Sequence, residues 1–292
     1  MMQFGRLITA MATPFTRDLS IDWPRLGELI ERLIESGNDA IVVSGTTAES
    51  PALSHDEKLE LFRFTKEKVA GRVKVIAGTG SNNTADSIRL TKEAEEIGVD
   101  GVMLVSPYYN KPSQEGLYLH FKAVAESTRL PVMLYNVPGR TSVNMSVETT
   151  VRLARLDNVV AVKEASGDLN QISRLVASLP EGVAVYSGDD NLTLPILAVG
   201  GVGVVSVASH LVGREMKEMM ESFFAGDHQK ALAIHQKLLP VFNGLFVTTS
   251  PVPLKYAMAR LGWCEPHVRL PLAPMDEGLR PQTDAWVDAL AR

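Results

Sequence analysis

A closed (β/α)8 barrel of the TIM barrel class, with a C-terminal helical extension, is the fold this sequence predicts. Short β-branched runs alternate with longer helix-patterned segments until about Ser209, the signature of parallel strands joined by crossover helices. An open doubly wound sheet accepts the same alternation but wants a G-x-G-x-x-G turn after an early strand. Gly78-Thr79-Gly80-Ser81-Asn82-Asn83 lacks the last glycine, and Gly200-Gly201-Val202-Gly203 enters a strand where the fingerprint should leave one. Reactive side chains also collect where strands end, which is where a barrel carries its chemistry.

The first apolar run predicts a strand over Leu7–Thr13, and the helix-spaced pattern after it predicts a helix over Trp23–Glu35. Ala40–Ser44 is a short β-branched run, followed by a helical segment at His55–Ala70. Val73–Gly78 leads to a helix at Thr84–Ile97, and Gly101–Ser106 to one at Gln114–Ser127. The second half repeats the unit: Val132–Asn136 with Val147–Leu156, Val159–Lys163 with Leu169–Leu179, Val183–Ser187 with Leu192–Val199, then Gly203–Val207. Runs this short and continuously apolar suit strands buried on both faces. Beyond the eighth strand only helical spacing remains, broken at Gly226-Asp227 and again at Pro251-Val252-Pro253. We therefore expect a catalytic barrel over residues 1–224 and a helical extension over 225–292. His235 shares helical spacing with Leu232, Leu238 and Leu239, which makes it a core or interface residue and not a ligand.

Composition narrows the function. The 292 residues are 45% hydrophobic and 22% charged, ordinary globular material with a formal net charge of -5 and no basic run. A nucleic-acid surface would show a concentrated positive patch. Small molecules or copies of the same chain are the expected partners. One cysteine, Cys264, cannot form an internal disulfide, and no Cys/His cluster has zinc-ligand spacing. The chain reads as cytoplasmic, without a stretch apolar enough to cross a membrane. Ala10-Met11-Ala12 has an A-x-A pattern, but its short, Thr-interrupted surroundings read as the first strand and not as a signal peptide.

Lys163 stands out among the residues that could carry chemistry. It closes the run Val159-Val160-Ala161-Val162 and precedes Glu164-Ala165-Ser166-Gly167. An ammonium at the end of a buried strand must be paired or neutral, and burial lowers a lysine pKa far enough for Schiff-base chemistry with a carbonyl. The alternative is a structural lysine ion-paired with Glu164. Lys58, Lys66, Lys68, Lys92, Lys122, Lys217, Lys230 and Lys237 lie in polar helical stretches where a solvated face is expected to explain them, and Lys74 sits at the opposite end of its strand.

Other strand ends supply candidates around that lysine. Gly45-Thr46-Thr47-Ala48-Glu49-Ser50 offers two adjacent hydroxyls and turn N–H groups for a small carboxylate, or a turn whose threonines cap the next stretch of backbone. Tyr108 and Tyr109 follow the fourth strand and Tyr135 lies in the fifth; each is a proton-transfer candidate beside an amine or an amphipathic rim residue. Arg140, behind Pro138 and Gly139, suits bidentate capture of a carboxylate. Asp189-Asp190 lacks a third ligand nearby and is expected to cap the next helix.

Taken in order, G-T-T-x-E-S, P-Y-Y-N-K-P-S-Q-E-G, Y-N-V-P-G-R-T and V-K-E-A-S-G resemble the dihydrodipicolinate synthases. These belong to the pyruvate-dependent lyase and synthase superfamily that includes N-acetylneuraminate lyase. The resemblance spans nearly the whole chain, from Ile8 to Lys255. It implies condensation of pyruvate with L-aspartate-4-semialdehyde on the path to lysine, in a homotetramer built as a dimer of dimers. It makes Lys163 the Schiff-base lysine, Tyr135 its proton shuttle, Thr46 a relay hydroxyl, and Tyr109 a tyrosine that reaches into the neighbouring subunit's site. Thr47 would bind the pyruvate carboxylate and Arg140 that of the semialdehyde, with Gly188 and Val205 lining the pyruvate pocket. The iminium nitrogen is the electron sink, so neither metal nor cofactor is implied.

Arg140 separates this reading from the sugar-acid lyases, which resemble the chain in lysine and tyrosine but lack that arginine. A barrel that merely senses pyruvate-like ligands would be expected to have lost Lys163 or Tyr135. Two positions depart from the family pattern. Ala48 replaces the usual glycine, which would strain the turn if the position requires a positive φ. Ser50, His55, Asn82 and Tyr108 match the lysine-inhibition site of feedback-sensitive members, whereas Pro51, Lys58 and Asp86 do not, so inhibition by lysine is expected to be weak or absent.

Overall fold

Eight parallel strands close into one barrel in chain order, each hydrogen-bonded to the next and the eighth to the first. The computed structural model describes residues 3–290. The strands are β1 Leu7–Ala10, β2 Ala40–Val43, β3 Lys74–Gly78, β4 Gly101–Val105, β5 Val132–Asn136, β6 Val159–Glu164, β7 Ala184–Ser187 and β8 Gly203–Ser206. All eight predicted strands are present. Six of them are one to three residues shorter at one end, β5 matches, and β6 runs one residue further, to Glu164.

Successive residues of a strand face opposite sides, and the core divides accordingly. Ile8, Val42, Ile76, Met103, Met133, Tyr135, Ala161 and Val205 pack in one cluster inside the barrel. Their neighbours Leu7, Ile41, Val43, Val75, Val102, Leu104, Leu134 and Val204 pack outward against the helices. Continuous apolar strands are thus needed because both faces are dry.

One irregularity matters for the site. Val132 aligns with Val159 but Met133 with Ala161, so β6 carries an extra residue at Val160. This bulge re-aims the remainder of the strand, bringing Tyr135 opposite Lys163 and Asn136 opposite Glu164.

Helices α1 Trp23–Glu35, α2 His55–Val69, α3 Thr84–Ile97 and α4 Gln114–Ala125 follow the first four strands. Asp22, Ser54, Asn83 and Ser113 cap them with side-chain acceptors, which satisfies first-turn N–H groups. The second half holds α5 Pro138–Thr141, α6 Val147–Leu153, α7 Leu169–Ser178, α8 Thr193–Ala198 and α9 Ser209–Phe224. The single turn α5 reads as loop in the sequence; Pro138 pre-sets its first φ and left-handed Ser142 ends it. After Gly226 come α10 His228–Gly244, α11 Val252–Arg260 and α12 Arg280–Leu290. Leu238, Phe242, Leu254, Met258 and Trp286 of this tail join the same outer core as the barrel helices.

Candidate active site

Lys163 points into the barrel because it lies two residues beyond the inward-facing Ala161, and for the same reason Glu164 points out. The expected alternative, an ion pair between the two, is therefore excluded by strand alternation. Glu164 instead accepts two hydrogen bonds from Asn136 Nδ2 at 3.1 Å and one from Ser166 N at 2.7 Å. Lys163 is 5% exposed, and no carboxylate lies within ion-pairing distance of it among the described residues. Its Nζ sits over the ring of Tyr135, 4.1 Å from the centroid.

Burial pushes the Lys163 pKa down to about 8, with Asp189 and Asp190 opposing and Arg140 assisting. A measurable fraction of the amine is neutral near neutral pH, as nucleophilic attack requires. Burial raises the Tyr135 hydroxyl, while Arg140 and the Thr46 hydroxyl act the other way. At neutral pH it is a phenol, able to donate a proton and take one back.

Beside Tyr135 opens a cavity of about 260 Å³, lined also by Thr46, Met103, Tyr108, Val137 and Arg140. Thr46–Ala48 forms a single 3-10 turn after β2, and the buried Thr47 sits at its centre. Neither threonine caps the elements that follow: the 3-10 turn Ser50–Ala52 has no side-chain cap, and Ser54 caps α2. Gly188 has a steric function: a Cβ there would lie 2.6 Å from Ala165 Cβ and 3.2 Å from Lys163 Cε. Val205 packs in the inner cluster with Tyr135.

Of the predicted site residues, Thr46, Tyr135 and Arg140 line the cavity; Lys163, Gly188 and Val205 join them through contacts with Tyr135 or Lys163, and Tyr109 does not line it. Tyr109 is 90% exposed with φ of 73°, beside Lys111 at φ 44°, a conformation that costs non-glycine residues about 1–2 kcal/mol.

Three expectations are corrected. Ala48 carries no strain of its own, because the left-handed residues of this loop are Ser44 and Glu49, not position 48. The aspartates do not cap the helix after β7. Asp190 reaches across to the loop after β8 and accepts from Ser206 Oγ at 2.5 Å, Ala208 N at 2.9 Å and Val207 N at 3.2 Å, while Asp189 faces Lys163 electrostatically. Lys58 is not on a solvated face; burial lowers its pKa and Asp86 opposes the shift.

Sequence reasoning passed over the Asn136–Glu164 contact, which ties the outer faces of β5 and β6 behind Tyr135 and Lys163. Residues one step along each strand from a candidate pair were the available signal.

The chain matches the model of the dihydrodipicolinate synthetase family over residues 3–290. It is 58% identical over 279 residues to a 4-hydroxy-tetrahydrodipicolinate synthase of Bacillus velezensis, covering 96% of each chain. With the corresponding synthase of Bacillus subtilis it shares 56% over 290 residues, covering 99% of this chain and 100% of that one. The crystal structure of a dihydrodipicolinate synthase from Bacillus anthracis superposes with a TM-score of 0.97 at 52% identity, covering both chains completely.

Proposed function

This chain belongs to the dihydrodipicolinate synthetase family, and from that premise we propose how its residues carry the reaction. The enzyme condenses pyruvate with L-aspartate-4-semialdehyde to give 4-hydroxy-tetrahydrodipicolinate. The observation that carries our assignment of the nucleophile is a buried lysine with no carboxylate partner among the described residues, over the ring of a tyrosine that lines a cavity.

In this reading neutral Lys163 adds to the pyruvate ketone, and water leaves to give an iminium. A proton lost from the methyl group moves its electron pair towards the iminium nitrogen, forming an enamine. The enamine carbon then attacks the aldehyde, and the product's amino group displaces Lys163 as the ring closes. Tyr135 carries protons to and from the oxygen and nitrogen, with Thr46 next to it. The Thr46-Thr47 turn takes the pyruvate carboxylate through hydroxyl and N–H donors. Arg140, on the exposed turn α5 at the cavity rim, takes the semialdehyde carboxylate. Gly188 and Val205 give pyruvate and the lysine room.

Tyr109 completes the relay of a neighbouring subunit in this proposal, supported by its exposure and left-handed backbone. Mixing Lys163→Met with Tyr109→Phe chains should then restore activity that neither has alone. A homotetramer, a cytoplasmic setting and a partition into a barrel over 1–224 and an extension over 225–292 complete the reading. Among the described residues no helix is long and apolar enough to cross a membrane.

Borohydride reduction in the presence of pyruvate, followed by peptide mass analysis, tests the nucleophile. An adduct on the peptide carrying Lys163 is expected, and an adduct elsewhere refutes the assignment. Comparing acceptor aldehydes tests the substrate, with N-acetylneuraminate cleavage expected to be absent.

A further inference from the structure

We propose that the C-terminal extension positions the pyruvate-binding turn through a buried ion pair, with Glu49, Lys255 and Arg269 as positioning residues. Glu49 follows the Thr46–Ala48 turn directly and holds φ at 59°. Its carboxylate faces the tail: Lys255 Nζ donates to Oε1 at 2.5 Å and Arg269 N to Oε2 at 2.8 Å. Both side chains of the pair are sealed from solvent, at 0% and 1% exposure. Lys255 spends a second donor on His267 O at 2.9 Å.

Arg269 extends the clamp along the same loop. Its guanidinium donates to Ala52 O at 3.0 Å and to both oxygens of Glu57 at 2.8 and 2.6 Å. Glu57 also closes the capping box that starts α2. Phe15 lies beneath both cations, its centroid 3.9 Å from Lys255 Nζ and 4.3 Å from Arg269 Cζ. Thr13 Oγ1 donates to Ala48 O at 3.1 Å from the other side. The turn is thus gripped by tail residues 206 and 220 positions away, neither of which lines the cavity.

A buried pair of this kind is a poor source of net stability, because desolvation offsets the attraction; its worth here is in fixing geometry. A left-handed non-glycine residue beside a ligand-binding turn is held only while its surroundings over-determine it. Releasing Glu49 lets the turn relax and moves the Thr47 hydroxyl and the turn N–H groups. Misplacement of binding groups by about an ångström costs up to about a hundredfold.

The test rests on the reading that this turn binds the pyruvate carboxylate, so Thr47→Val serves as its reference. The double variant Glu49→Gln/Lys255→Met removes both charges together and leaves neither orphaned. In steady-state assays it should raise the pyruvate KM about tenfold, with kcat and the semialdehyde KM within about twofold. A role in folding alone would lower the yield of active enzyme and leave KM untouched. A folded double variant with the parent's pyruvate KM, alongside a raised KM in Thr47→Val, overturns the inference. An unchanged pyruvate KM in both overturns the carboxylate reading and the inference with it. If the double variant does not fold, Glu49→Gln alone decides: a raised pyruvate KM supports the clamp, and the parent's value refutes it.

Discussion

Two buried lysines, one inside the barrel and one behind the turn that follows β2, have opposite fates. Lys163 projects from β6 into the barrel with an aromatic face and, among the described residues, no ion-pairing carboxylate, whereas Lys255 projects from α11 onto Glu49 at 2.5 Å. Burial lowers the pKa of both, but at Lys255 the attraction and hydrogen bond of Glu49 oppose the shift. Burial alone therefore does not make a nucleophile. A buried amine becomes reactive when no anion contacts it, and becomes a fastener when one does.

Chemistry should separate the two lysines most strongly. Lys163→Met should abolish condensation and borohydride trapping, whereas a folded Lys255→Met should still trap pyruvate at Lys163. Trapping at Lys255 in the parent enzyme would erase the distinction. Next comes the proton carrier: Tyr135→Phe should lower kcat by about 10²–10⁴-fold while Schiff-base formation remains detectable by mass.

Stability offers a contrast of sign. A Lys163 pKa moved from 10.5 to about 8 corresponds to about 3 kcal/mol. The unfolded chain binds that proton more tightly between those values, so stability rises with pH across the window and the cost of Lys163 is fully present below about pH 8. Lys163→Met should therefore raise the unfolding free energy at pH 7 by about 2–4 kcal/mol. Lys255→Met should lower it by about 3–5 kcal/mol, because Glu49 is left buried and uncompensated. Urea titrations at pH 7 and pH 10 check both, and the Lys163→Met gain should shrink at the higher pH.

A lesser effect concerns rate against pH. Pyruvate trapping should accelerate as pH rises through about 8, where Lys163 loses its proton; a flat profile across that value would remove the neutral-amine premise. The response to lysine should be slighter still. With the half-buried Lys58 facing Asp86, a lysine effector meets an occupied, cationic position, and inhibition should be absent at sub-millimolar concentrations in steady-state assays.

The barrel was legible because its signal is local and repeated: both strand faces are dry, so the strands are short, mostly apolar runs whatever their neighbours are. Lys163 was legible for a related reason, since an ammonium ending such a run is conspicuous. Lys255 was not, because Pro253-Leu254-Lys255-Tyr256 reads as an ordinary helical stretch and its burial depends on Glu49, 206 positions distant. The aspartates after β7 escape local reading for the same reason. Asp190 finds its partners in the loop after β8, and capping rules cannot see across a barrel.

Hydrophobic periodicity and side-chain chemistry are local, so the chain alone specified the succession of strands and helices and the reactive side chains at the strand ends. Which of those side chains meet was settled by tertiary structure. The extra residue at Val160 sets Tyr135 beside Lys163, alternation turns Glu164 away from it, and the returning tail supplies Glu49 with its cation. Register, facing and long-range pairing are properties of the closed barrel, and no window of neighbouring residues contains them.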